Sequence, residues 1–163
     1  MTPKALLSGL IVASLAGAAS PALAQWRVDP SAPLDISAPE QGEYKTATCT
    51  LDLRGGVQIT QGRVRLIGQT ITANQAKRGS SCGAWTRLVA ERDVYYVTPD
   101  ERVRADRAVY DFPNETVTFT GGVILVRGQD VATADRVVVD LRTNDFTLSG
   151  KVKSVIYPES SEP

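Results

Sequence analysis

The sequence predicts an all-β protein assembled from repeated antiparallel hairpins. Three observations carry that prediction. From Gln25 onward the chain holds 17 valines and 14 threonines against eight leucines, a β-branched bias that suits pleated surfaces and disfavours helices. Apolar and polar residues alternate with period 2 through residues 51–59, 117–121 and 146–152, while no window of a dozen residues shows a helical stripe. The chain also repeats itself, since the stretch that begins at Ala105 recurs from Ala134.

The N-terminal stretch precedes the fold. Lys4 is followed by an alanine-rich apolar run, residues 5–19, and then by Ser20-Pro21-Ala22-Leu23-Ala24. One positive charge, an apolar centre and a small-x-small end make a secretory signal peptide over residues 1–24. The competing reading is an uncleaved anchor, which the Ala, Gly and Ser content and Pro21 just before the cleavage site disfavour. Cleavage after Ala24 leaves a chain from Gln25 to Pro163 that has lost one of its basic side chains, Lys4, and none of its acidic ones. Residues 25–157 then form one domain and residues 158–163 a polar tail. Export places Cys49 and Cys82 in an oxidising compartment. Two cysteines closing a long loop, without C-x-x-C spacing, are expected to form a structural disulfide.

Composition narrows the function. The chain has no histidine, so it lacks an imidazole base, a Ser-His or Cys-His pair and a His metal ligand. Two cysteines without histidine do not close a zinc site. No carboxylate pair, Gly-x-Ser-x-Gly motif or metal cluster is evident, so no enzyme, metal or cofactor is expected. A formal charge of zero argues against a nucleic-acid partner.

The strands follow in order. Leu51-Asp52-Leu53-Arg54-Gly55-Gly56-Val57-Gln58-Ile59 alternates cleanly and shares Gly-Gly-Val with residues 117–125. Residues 74–85, which carry Cys82, read as an elaborated loop. Ala105-Asp106-Arg107-Ala108-Val109-Tyr110-Asp111-Phe112 overlies Ala134-Asp135-Arg136-Val137-Val138-Val139-Asp140-Leu141, and the register continues without a gap to Val123 over Val152. Each unit is strand, short turn, strand, with turns at residues 113–115 and 142–145. Asn114-Glu115-Thr116 matches a glycosylation sequon, but turn chemistry explains it better. Such hairpins cannot bury a core singly and must stack or fold into facing layers. One face of the first unit carries Ala108, Tyr110, Phe112, Val117, Phe119, Val123 and Leu125, and the same face of the second carries Val137, Val139, Leu141, Phe146, Leu148 and Val152. Patterning alone favours a plain sandwich core, with an open apolar cleft as the alternative.

Several of these motifs occur together in one known family. Asp93-Val94-Tyr95-Tyr96-Val97-Thr98-Pro99, Ala105-Asp106-Arg107-Ala108-Val109-Tyr110-Asp111, Val117-Thr118-Phe119-Thr120-Gly121-Gly122-Val123 and Gly128-Gln129-Asp130 resemble the OstA-like family, and within it the LptA branch of periplasmic lipopolysaccharide-transport bridge proteins. Pro33-Leu34-Asp35-Ile36-Ser37-Ala38 is similar to that family's first strand, and Gly56-Val57-Gln58-Ile59-Thr60-Gln61-Gly62 to one of its hairpins. The likeness spans roughly residues 33–157. It departs where the chain has Gly-Gly-Val twice in place of Gly-Asn-Val, and at the 74–85 insertion.

The resemblance implies a slightly open, V-shaped antiparallel β-jellyroll in the periplasm. Its apolar groove would take lipopolysaccharide acyl chains, with no cofactor and no bond-making. It also implies partners: an inner-membrane export complex, an outer-membrane assembly protein, and further copies stacked head to tail through residues 34–38 and 152–157 by β-augmentation. The lining residues it implies are Ile36, Leu53, Val57, Ile59, Leu66, Tyr110, Phe119, Val123, Val139, Leu148 and Val152, for each of which core packing is an equally good account. On this reading Phe119→Glu weakens lipid binding and leaves the fold intact, and a charge at Ile36 or Val152 disrupts stacking. Arg63, Arg65, Arg102, Arg104 and Arg127 are either partners for lipid phosphates or a solvated outer face, and surface base rates favour the second. Asp106/Arg107 and Asp135/Arg136 are expected to pair across strands. The other functional class is a structural scaffold with a filled core, separable from the conduit by whether an apolar cleft is open.

Overall fold

The structure, a computed structural model, describes residues 32–143 and 145–157. The expected signal peptide, the C-terminal tail and Asn144 of the second turn lie outside the described residues. Within them every regular element is a strand: β1 (Leu34–Ser37), β2 (Gln41–Lys45), β3 (Thr50–Gln61), β4 (Val64–Arg78), β5 (Ser81–Val97), β6 (Glu101–Asp111), β7 (Thr116–Arg127), β8 (Asp130–Asp140), β9 (Asp145–Ser149) and β10 (Lys153–Val155). All pairings are antiparallel and nearly all are between neighbours in sequence, in the order β1-β3-β4-β5-β6-β7-β8-β10. At one edge β1 and β2 share the outer side of β3. At the other, β9 and β10 share the outer side of β8.

This one sheet folds over on itself, and the sequence shows how. The ladders lose register along one line, between Arg54 and Val57, Ile67 and Thr70, Glu91 and Val94, Arg104 and Arg107, and Thr120 and Val123, with further shifts between Asn74 and Lys77 toward the β4–β5 turn. The odd-numbered strands cross the line through two consecutive left-handed residues: Gly55-Gly56, Arg92-Asp93 and Gly121-Gly122, with Gly150-Lys151 between β9 and β10. Each pair is followed by valine (Val57, Val94, Val123, Val152). The even-numbered strands cross with a single residue opposite each pair, Gln69, Asp106 and Asp135, and their inward parity switches from Leu66 to Ile71 in β4, Val103 to Ala108 in β6 and Ala132 to Val137 in β8. Bulges of this kind sharpen twist and turn corners. The repeated Asp and Gly meet there, since a Cβ on Gly121 would lie 2.5 Å from Asp106 Oδ2, and one on Gly150 would lie 2.6 Å from Asp135 Oδ2. The repeat seen in the sequence is therefore the repeat of a corner. Asp106 packs on that corner, while Arg107 pairs across strands with Glu91 at 3.0 Å.

The line divides the sheet into two layers. The first holds β2, β9 and the halves of β3–β8 that run to the Gly79-Ser80 turn. The second holds β1, β10 and the halves that run to the Gly62-Arg63 turn. Leu53, Ile71, Ala108, Phe119, Val137 and Val139 of the first layer pack against Val57, Val94, Tyr96, Val103, Val123 and Ala134 of the second.

One expectation is corrected. Residues 74–85 are not a loop: β4 and β5 continue through them as a lengthened hairpin closed by Gly79-Ser80. Arg92-Asp93 precedes Gly121-Gly122 by the same interval that separates Ala105 from Ala134. Gln69 of β4 precedes Asp106 by a longer interval, and the excess is the hairpin's overhang. Its tip is tied down by the Cys49–Cys82 disulfide, Cα to Cα 5.5 Å. Gln75 N–H donates to the Cys49 carbonyl at 2.9 Å and Lys77 Nζ to the Ala47 carbonyl at 2.7 Å. Asn114, the sequon residue, donates both its backbone N–H and its side-chain amide to the Asp111 carboxylate, as turn chemistry requires.

Candidate functional site

The two layers do not close equally along their length. On the side of β1, β3 and β4 they stand apart around a cavity of about 310 Å³. The second layer contributes Leu34, Ile36, Ile59, Val64, Leu66 and Tyr96, and Gln61 at the rim. The first contributes Leu51, Leu53, Ile71, Ala73, Leu88 and Tyr110, with Trp85, Phe112, Val117 and Leu141 toward its tip. Leu34 is 56% exposed, Ile36 42% and Trp85 38%, so the apolar wall runs out to solvent past the short edge strand. A lining of this kind carries no charge and few directional groups, which suits an aliphatic ligand.

On the side of β6–β9 the layers meet. Phe119, Val137 and Val139 are fully buried, and the Phe119 ring lies 6.0 Å from that of Tyr96. At the tips the Arg127 guanidinium pairs with the buried Glu101 carboxylate and sits 4.9 Å above the Phe146 ring, joining the end of the second layer to the end of the first.

The expected lining residues fall into two groups. Ile36, Leu53, Ile59, Leu66 and Tyr110 border the cavity together. Val57, Phe119, Val123 and Val139 are buried in the packed core, Leu148 is half-buried against that core, and Val152 is exposed in the break between β9 and β10. Burial at 0% changes what Phe119→Glu would do, because an unpaired carboxylate there disrupts the fold before it touches any ligand. The sequence reading missed Trp85, which rides on the hairpin taken for a loop. It also missed Ile71 and Ala73, whose parity is switched where β4 crosses the corner at Gln69. Tyr96 belongs to the unit whose corner lacks glycine.

Burial pushes the Tyr96 hydroxyl far above its ordinary value, with the Glu101 charge adding to the effect. The Tyr110 hydroxyl is raised for the same first reason. Both stay neutral at ordinary pH and keep the cleft uncharged. Of the five arginines singled out, Arg127 is engaged as above, Arg104 approaches Asp93 at 4.0 Å, and Arg63, Arg65 and Arg102 are exposed. A second hollow of about 640 Å³ lies at the corner, bordered by Asp52, Arg54, Glu91, Arg92, Asp106 and Arg107, whose charges balance. Among the described residues no group of three or more acidic or Cys side chains is placed to hold a metal ion, and no helix is long and apolar enough to cross a membrane.

Comparison with known proteins adds family and fold. Residues 35–145 match the family model described as LptA/(LptD N-terminal domain) LPS transport protein. Among solved structures, the chain is similar to LptH of Pseudomonas aeruginosa, described as the LptA-homologous periplasmic component of the conserved lipopolysaccharide transport device. The TM-score is 0.70 at 18% identity, covering 81% of this chain and 100% of that one. Nothing among curated protein sequences matches.

Proposed function

The chain belongs to the LptA/(LptD N-terminal domain) family of LPS transport proteins, and from that premise we propose that it is a periplasmic lipopolysaccharide carrier whose open cleft holds the acyl chains. The observation that carries this reading is the cleft between the layers, about 310 Å³, lined almost wholly by apolar side chains and open beside β1. Each methylene moved from water into such a lining contributes about 0.8 kcal/mol without any directional bond, so chains can enter and leave by sliding. The role asks for no catalytic group, in keeping with the lack of histidine.

In this reading residues 1–24 direct export and residues 25–157 act as one domain. The two sheet edges serve self-association. β1 with β2, and β9 with β10, each present a short broken strand to solvent, and Ile36 and Val152 at 42% and 51% exposure stand where a second copy would extend the sheet. Copies joined edge to edge would align their clefts into a trough between the inner-membrane export complex and the outer-membrane assembly protein. A filled-core scaffold explains the stacking edges but leaves the exposed apolar wall without a purpose.

The test is titration of the chain from Gln25 onward with lipopolysaccharide, comparing native protein with Ile59→Glu, a half-exposed cleft position where a charge can reach water. Saturable binding by the native chain and at least a tenfold weaker Kd for the variant, with unchanged circular dichroism, is expected. Equal binding by both would exclude the cleft as the site.

A further inference from the structure

The outward faces of the two layers differ in a way the cleft does not require. On the first layer the outward bases are interspersed with acids: Lys45 pairs with Asp52 at 2.9 Å, Arg107 with Glu91 at 3.0 Å and Arg142 with Asp140 at 3.0 Å. Arg87 lies opposite Asp111 in register, and Arg54 and Arg136 are exposed without an ion pair among the described residues, set among threonines such as Thr72 and Thr118. On the second layer the register places Arg65, Val97, Arg102 and Val126 side by side in one row. It places Ile67, Tyr95, Arg104 and Ile124 in the next outward row, which ends at Lys153 beside Thr133. Directly paired residues share a face, and rows two positions apart lie on that same face. Arg65, Arg102, Arg104 and Lys153 are exposed, while their strand neighbours Leu66 and Val103 point to the core side. Among the described residues Arg65, Arg102 and Lys153 have no ion pair, and Arg104 has only Asp93, at the edge of contact distance. Asp35, on the edge strand, is the acid within these rows.

We propose that this outward face of the second layer docks on an anionic lipid bilayer surface. Four cations against one in-row acid give the face a positive sign although the whole chain is neutral, so the complement is a negatively charged plane. The arginines are interleaved with half-exposed aliphatic side chains and with Tyr95, 39% exposed, whose ring lies 5.9 Å from the Arg104 guanidinium. Cations beside apolar groups and an amphipathic ring suit the headgroup boundary, where charge meets phosphate and the apolar atoms are shallowly buried. Arginine's planar fork matches phosphate oxygens two at a time. A protein docked on this face keeps the cleft on the layer's other side.

The experiment is co-sedimentation of the chain from Gln25 onward with vesicles of phosphatidylglycerol and phosphatidylcholine, and with phosphatidylcholine alone, at low and high salt. Binding to the anionic vesicles only, weakened by salt, is expected. The double variant Arg65→Ser/Arg102→Ser should bind about thirty-fold more weakly, given the usual contribution of each basic residue near an anionic surface. The pair Arg54→Ser/Arg136→Ser on the first layer should bind as the native chain does. The proposal is overturned if the native chain ignores anionic vesicles, if both double variants lose binding equally, or if inorganic phosphate at millimolar concentration abolishes it, which would mark a free-anion site. Loss of vesicle binding in Ile59→Glu would instead assign the signal to the cleft, so this proposal and the cleft reading fail separately.

Discussion

The side of the molecule around β1, β3 and β4 and the side around β6–β9 are built from the same repeated unit, yet one gapes and the other is shut. On the shut side, Phe119 fills the space between layers and the Glu101–Arg127 pair with Phe146 joins their tips. On the open side the edge strand β1 is short, the β4–β5 hairpin overshoots its neighbours, and Trp85 stands partly exposed on the overhang. A corner repeat thus specifies that the sheet folds over, while the side chains between corners set how far the layers close.

Three measurements break or sharpen that contrast, beside the two binding tests above. The largest effect belongs to the shut side. Phe119→Ala should lower stability by about 3–5 kcal/mol, because it removes a fully buried ring from a region that cannot collapse around the gap, whereas Ile59→Ala on the open wall should lower it by about 2 kcal/mol or less. Equal losses in urea melts would mean that the two sides are packed alike. Next is the disulfide. Cys49→Ser with Cys82→Ser removes a crosslink between positions separated by 33 in sequence, and should lower stability by roughly 3 kcal/mol. Hydrogen exchange should rise first at the β4–β5 tip; a uniform rise across β6–β8 would contradict a local role.

The smallest effect is alkaline. The Tyr96 hydroxyl has its folded pKa raised above the ordinary value of 10.0, so its contribution is fully present below pH 10 and is lost as pH rises above it. Tyr110 acts in the same direction. Holding Tyr96 neutral should remove about 0.8 kcal/mol by about pH 10.5, and Tyr96→Phe should flatten the alkaline limb of a stability–pH curve by that much. An unchanged limb would mean that the hydroxyl reaches water in the folded state.

Much of this was legible in the residues. Alternation at 51–59 and 117–121, and the paired copies that start at Ala105 and Ala134, gave antiparallel hairpins whose expected inward faces point inward except at Val152, which is exposed. Those signals are local, set by side-chain alternation and by turns. The copy at Arg92-Asp93-Val94 went unread because it lacks the glycines that mark the others, although its backbone takes the same left-handed path. The 74–85 segment was misread because Gly79, Ser80, Ser81 and Gly83 look like a loop by composition, when two of them make a tight turn and two lie in β5. Leu53 and Val57 both follow the period-2 pattern, but one borders the cleft and the other is core, a difference that depends on what stands opposite in the other layer.

By itself, then, the sequence determined that the chain is β, that its strands pair with their neighbours, and that one hairpin unit recurs with Asp and Gly at matching places. These follow from backbone preferences and side-chain alternation within one or two strands. That Asp and Gly meet at a corner, which side stays open, which apolar residues meet solvent there, and which arginines share a face were decided only by the tertiary structure. The reason is physical: closure depends on the volumes that two layers bring to the same space, and those residues are far apart in the chain.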